Sequence, residues 1–248
     1  MNFLNVVASE ILMTFKRPRR ALHLFDRKRR RSHFHYLQLN SKIGDSWSRQ
    51  DASSGFETRN YVSYEDYLEH QKDKRERIDL SQYDVDYRET LGARLKNLKI
   101  RFDGMTVLCL AARIGTEVKS FLDLGCFAVG IDLNPGTMNC YVLYGDFHEL
   151  QFPSGSVDIV FTNSLDHVYD LEKVLVEARR VLKDEGFLIV EAAAGSERGV
   201  EAGFYESFWW KNVDELIQRL NGFHFETLNR SSFDSPWPGE QIFFRKSG

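Results

Sequence analysis

The sequence predicts an α/β chain built on an open, mostly parallel sheet, and three observations carry that expectation. Short apolar runs alternate with connections of helical length from Thr106 onward. The first run breaks at Ala111 into a turn of small residues, and a second, Phe127 to Ile131, follows about one crossover later. The second run ends on Asp132, so turn and acid fall at the carboxyl ends of neighbouring strands, where such sheets bind ligands.

The periodicity places strands at 106–110, 127–131, 141–144, 157–162 and 187–192, with helices at 115–124 and 170–183. Between Asp132 and Tyr141 stand Pro135 and Gly136, too short a gap for a second crossover helix, so a loop or single turn is expected there. After Gly195 the pattern reads as a loop, a helix over YESFWWKNVDELIQRL, and two strands, FHFETLNR and QIFFRK. The turn-rich SSFDSPWPG between those strands carries Trp237, which could overhang a pocket.

Three segments are expected: a basic N-terminal arm, partly disordered, over 1–60, a helical lid over 61–104, and the α/β domain over 105–248. Met1 to Phe15 has the spacing of a partly amphipathic helix without a signal peptide's basic start or cleavage site. Between Lys16 and Arg31 the chain carries +8 against −11 for the remainder. That composition suits peripheral contact with an anionic membrane, RNA phosphates or a solvated arm. Residues 32–60 hold few aliphatics and read as loop. Ser63, with Asp66 three residues on, marks a helix start, and Leu91, Leu95 and Leu98 mark a second helix face.

At 248 residues, 42% hydrophobic and 28% charged, the chain has the composition of a globular protein with a substantial core. No run of 18 apolar residues appears. Cys109, Cys126 and Cys140 are odd in number and lack metal-ligand spacing, which points to a reducing, cytoplasmic compartment and to no metal. GxGxxG, the Walker lysine turn and GxSxG are all missing, which argues against dinucleotide, nucleoside triphosphate and serine-hydrolase chemistry.

Asp132 could accept both hydroxyls of a ribose; an acid after a strand is also a common turn-former. His167, in the loop after the fourth strand, has a side chain suited to proton transfer near neutral pH, and equally to packing. His148 is a weaker candidate. Ala111 and Arg113 replace turn glycines, which suggests a turn with φ values that ordinary residues tolerate.

From Thr106 to Ala194 the chain resembles the class I S-adenosylmethionine-dependent methyltransferases, most closely the type 11 group. The resemblance lies in the turn, Asp132-Leu133-Asn134, the GDF triplet Gly145 to Phe147, and the run SVDIVFTNSLDHVYDLEKVLVEARRVLKDEGFLIVE. It departs where relatives carry a strand-end acid and a glycine-rich turn: Cys109, Ala111 and Arg113 stand there, and only Gly115 remains.

The resemblance implies a Rossmann-like three-layer sandwich with a seven-stranded sheet whose last strand is antiparallel, plus an N-terminal helical extension. It further implies S-adenosyl-L-methionine held by Ala111, Ala112, Arg113, Gly115, Asp132, Leu133, Asn134, Asp146, Phe147, Asn163 and Ser164. Arg113 could meet the carboxylate of the methionine moiety or be a solvated turn residue. Tyr64, Tyr67, His70, Gln71 and Trp237 are the candidates for lid and acceptor contacts; the alternative packs the tyrosines on the sheet and leaves His70 and Gln71 exposed. The expected reaction is methyl transfer to a small molecule, such as a saccharide or glycan-intermediate hydroxyl. The alternatives are a binding module that has lost the donor and an RNA methyltransferase using the arm; TNSL in place of an NPPY-type tetrapeptide lowers a nucleic-acid base target.

Overall fold

The computed structural model describes residues 27–43, 45–49, 55–74 and 80–248; Met1–Phe15 and most of the basic arm lie outside them. The described residues of Met1–Ser48 and Arg59–Ile78 make one compact unit, and those of Arg49–Thr58 and Asp79–Gly248 a second.

In the first unit, helix α1 (Arg27–Ile43) buries Leu37, Leu39 and Ile43. This corrects the loop reading of residues 32–60. The buried positions are few and irregularly spaced, so the helical period is weak in the sequence. Lys42 Nζ bonds Asp66 Oδ1 at 2.6 Å and Glu69 Oε2 at 2.8 Å on helix α2 (Tyr64–Asp73). Helix α2 starts as expected, with Ser63 Oγ accepting the Asp66 N–H at 3.2 Å. Tyr67 and His70 are buried, Tyr61 and Tyr64 pack on the Tyr67 ring, and the Tyr61 hydroxyl meets His70 Nδ1 at 2.8 Å. His70 is therefore not on an exposed face: it belongs to an aromatic cluster of its own unit, with Gln71 half-buried beside it.

Two short strands follow, β1 (Trp47–Arg49) and β2 (Phe56–Arg59). Residues Phe56, Glu57 and Thr58 of β2 pair antiparallel with strand β8 (Phe208–Trp210). Here the predicted helix over 205–220 is corrected. The aromatic run Phe208-Trp209-Trp210 is a fully buried strand, and helix α6 (Val213–Gly222) begins only after Asn212, whose side chain accepts the Glu215 N–H at 3.0 Å.

The second unit is a seven-stranded sheet with helices on both faces. Its strands are β3 (Thr106–Leu110), β4 (Phe127–Asp132), β5 (Val142–Tyr144), β6 (Val157–Thr162), β7 (Leu182–Ala193), β9 (Phe225–Phe233) and β10 (Gly239–Lys246). Their order is β5-β4-β3-β6-β7-β10-β9, parallel except that β10 runs antiparallel to both neighbours. No helix joins β4 to β5, as Pro135 and Gly136 led one to expect.

The two faces of β3 divide between two cores. Leu108 and Leu110 join the apolar stripe of helix α5 (Leu171–Val181), namely Leu171, Val174, Leu175, Ala178 and Val181. Val107 and Cys109 join Tyr87, Leu91 and Leu95 of helix α3 (Ser81–Lys96) and Val118 and Phe121 of helix α4 (Thr116–Leu122). A strand buried on both sides reads as a continuous apolar run, which is why β3 and β6 stand at the predicted bounds. Among the described residues, no helix is long and apolar enough to cross a membrane.

Candidate functional site

From β3 the chain crosses to β4 on one side and later to β6 on the other, so the carboxyl ends of these strands face a topological switch point. The turn after β3 is built in glycine-like geometry without glycine. Ala111 has φ 54° and Arg113 φ 45°, both left-handed, beside Gly115 at φ 85°. This corrects the expectation of ordinary φ values. Ordinary side chains occupy left-handed backbone here, at a cost of roughly 1–2 kcal/mol for each β-carbon in that region.

Gly115 has no such latitude, since a β-carbon there would lie 2.6 Å from Tyr141 Cβ. On β4, Gly130 lets the turn come close: a β-carbon there would sit 2.6 Å from Ala112 Cβ. Ala111→Gly is expected to be neutral or stabilising by up to about 1 kcal/mol, relief of the left-handed strain offsetting glycine's extra chain entropy. Urea denaturation checks this; a loss above about 1 kcal/mol would mean that the Ala111 methyl packs.

Asp132 fixes the turn to the end of β4. Its Oδ2 accepts the Arg113 N–H at 3.0 Å and its Oδ1 the Asn134 N–H at 2.7 Å, while the buried Ala112 donates to Ile131 O at 2.9 Å. Each carboxylate oxygen keeps a lone pair, and the residue is only half-buried, so acceptance of ribose hydroxyls is compatible with this bracing. Asn139, which the sequence reading passed over, staples the turn from outside. Its Nδ2 donates to Arg113 O and Pro135 O, and its Oδ1 accepts from Tyr141 and Val142.

Beyond β5, Asp146 Oδ1 accepts from the backbone N–H of His148 and meets His148 Nδ1 at 2.8 Å. His148 Nε2 accepts the N–H groups of Tyr169 and Asp170, both at 3.1 Å. The buried imidazole therefore clamps two loops together through both ring nitrogens, which leaves neither turned toward an acceptor. Phe147 sends its ring into the apolar core.

After β6, Asn163 holds the centre of a polar network. Its Nδ2 donates to Glu117 Oε1 at 3.0 Å and to the Tyr87 hydroxyl at 2.9 Å, and its Oδ1 accepts from Ser164 Oγ at 3.0 Å. Tyr87 donates to Glu191 Oε2 at 2.7 Å. Burial pushes the Glu117 carboxyl up to about 7, against the opposing pull of Arg113 and Asn163, and it drives the Tyr87 phenol well above its usual range. Arg113 sits over the Tyr83 ring at 5.3 Å. Burial works against its charge, while Tyr83, Glu117 and Asp132 act the other way and raise its pKa; the residue is half-buried rather than fully solvated. Trp237, half-buried, packs on Tyr83, Tyr87 and Phe233.

His167, in the short helical turn Leu165–His167, meets Tyr205 O through Nδ1 at 3.0 Å. An Nδ1–H donated there leaves Nε2 as the acceptor, 3.7 Å from Asp166 Oδ1. Asp166, His167 and Glu206 bring one ligand-type atom each within 4.8 Å of one another. Glu206 is remote in sequence and had no motif to reveal it.

The model of the type 11 methyltransferase family, described as a methyltransferase domain, matches residues 108–190. Over those residues the chain is similar to the methyltransferase domain of that family. No curated protein matches the sequence. The chain's fold is similar to that of 1,6-didemethyltoxoflavin-N1-methyltransferase from Burkholderia thailandensis, solved with bound 1,6-didemethyltoxoflavin and S-adenosylhomocysteine: TM-score 0.58, 15% identity, 82% of this chain and 100% of that one. Methyltransferases from Mesorhizobium loti (TM-score 0.50, 12% identity, 62% and 96% covered) and Methanosarcina mazei (0.50, 16%, 61% and 96%) share it. At these identities the likeness shows the fold alone.

The site's own residues fit the donor. Asp132 offers a carboxylate for the ribose at the strand end, and Arg113 a fixed cation beside the turn. Asn163 and Ser164 border the same edge from β6.

Proposed function

We propose that the methyltransferase domain transfers a methyl group from S-adenosylmethionine to a hydroxyl of a small-molecule acceptor, of the saccharide or glycan-intermediate class. When bound, the donor supplies an activated methyl group on a sulfonium that is its own leaving group. The chain's part is then alignment and exclusion of water. Asp132 would hold the ribose, Asp146 and the backbone amide of Phe147 would border the adenine, and Arg113 would take the methionine carboxylate. On the acceptor side, His167 Nε2 removes the hydroxyl proton, with Nδ1 held by Tyr205 O and Asp166 close by. The small-molecule Burkholderia relative, similar over 82% of this chain, is consistent with an acceptor of that size.

The observation that carries the reading is Asp132, braced by two backbone N–H groups with a free lone pair on each oxygen. Asp132→Ala is expected to weaken S-adenosylhomocysteine binding by about 1–3 kcal/mol, the range of a lost hydrogen bond to a charged group. Isothermal titration measures it, and unchanged affinity removes the ribose assignment.

A further inference from the structure

We propose that Glu117, anchored by the Asn163 side chain, receives the α-ammonium group of the methyl donor's amino-acid end. The assignment rests on the donor reading above and goes beyond it. Glu117 stands in the first turn of α4, two residues past the Gly115 turn, yet its side chain points inward and is 3% exposed. Its Oε1 takes the Asn163 amide at 3.0 Å, which puts the carboxylate at the carboxyl edge shared by β3 and β6. Arg113 belongs to the same turn, with its guanidinium over the Tyr83 ring and its charge favoured by Tyr83, Glu117 and Asp132. One anchored anion and one anchored cation at a single strand edge match a zwitterion, carboxylate to Arg113 and ammonium to Glu117.

A purely structural role explains the arrangement less well. An amide or an apolar side chain would accept from Asn163 or fill the space without a buried ionisable group. Strand β3 supplies no anion of its own, since the thiol of Cys109 is buried and pushed well above its usual range. The groups facing Glu117 are Arg113 from the turn, Tyr83 and Tyr87 from α3, Cys109 from β3, Asn163 after β6 and Glu191 from β7. Of these only Arg113 is a cation, and the donor's carboxylate would engage it. An arriving ammonium therefore converts Glu117 from a half-protonated carboxyl into a paired carboxylate, and the proton leaves to solvent.

The test compares two ligands that share a nucleoside, S-adenosylhomocysteine and 5′-methylthioadenosine, the latter lacking the amino-acid end. Isothermal titration is run on the full chain and on Glu117→Gln, in buffers of different ionisation enthalpy. The variant is expected to bind S-adenosylhomocysteine at least tenfold more weakly at pH 8 and 5′-methylthioadenosine with unchanged affinity. At pH 7 the unaltered protein should release about half a proton on binding S-adenosylhomocysteine, and neither the variant nor the truncated ligand should show that release. Equal S-adenosylhomocysteine affinity in both proteins, or equal losses for both ligands, overturns the assignment and leaves the donor reading standing. If the unaltered protein binds neither ligand, the donor reading falls and this assignment falls with it.

Discussion

Arg94→Met is expected to destabilise the unit that holds the seven-stranded sheet by about 3–5 kcal/mol, because it strands a carboxylate that cannot reach water. Glu191 is wholly buried at its side chain, and Arg94 is 13% exposed. Both carboxylate oxygens are saturated. Oε1 accepts from Arg94 Nε at 2.7 Å and Gln241 Nε2 at 2.8 Å; Oε2 accepts from Arg94 Nη2 at 2.9 Å and Tyr87 at 2.7 Å. The same guanidinium lies 4.2 Å from the Phe233 ring centroid and donates to Ser235 O at 3.1 Å, so it ties α3 to the sheet and to the β9–β10 turn. Urea denaturation followed by circular dichroism reads the loss. Pairing the change with Glu191→Leu should recover most of it, since the penalty comes from the orphaned charge rather than from the pair's net attraction. A single-variant loss below about 1 kcal/mol would show that water or a rearranged neighbour solvates Glu191.

That network marks where the sequence stops being legible. Strands β3 and β6 could be read to the residue because burial on both faces leaves an unbroken apolar run, and β4 because its apolar run ends on an acid, although its first residue, Phe127, is exposed. Asp132 could be read because its strand ends on it. Glu191 sits in a strand between apolar residues, and its partners Tyr87, Arg94 and Gln241 come from a preceding helix and a following strand, so no local pattern announces it. The turn failed differently. Ala and Arg favour right-handed or extended backbone, so their identity suggested an ordinary turn, and only the tertiary register of Ala112 against Ile131 and of Arg113 against Asp132 imposes positive φ. Strand β8 was hidden by its neighbour: aromatic residues abutting a strong helix pattern were absorbed into it, whereas pairing with β2 decides their conformation.

Glu117 gives the second large effect, and its sign follows from the direction of the shift. In the folded protein the carboxyl titrates at about 7 against a usual value of 4.5, because burial disfavours the charge more than Arg113 and Asn163 restore it. Between those two values the native state holds a proton that the unfolded chain has released, so stability falls as pH rises from about 4.5 to 7 and is level above. The full difference is about 3 kcal/mol. Glu117→Gln keeps an oxygen for the Asn163 amide and carries no charge, so it should erase this slope and be more stable than the unaltered protein at pH 8 by up to that amount. At pH 5 the two proteins should nearly coincide. Denaturation midpoints at pH 5 and pH 8 decide it: parallel pH profiles for the two proteins would mean that the carboxylate is solvated as soon as it ionises. A variant that gains stability at pH 8 while losing affinity for S-adenosylhomocysteine would show that the destabilising carboxyl is retained for the ligand it binds.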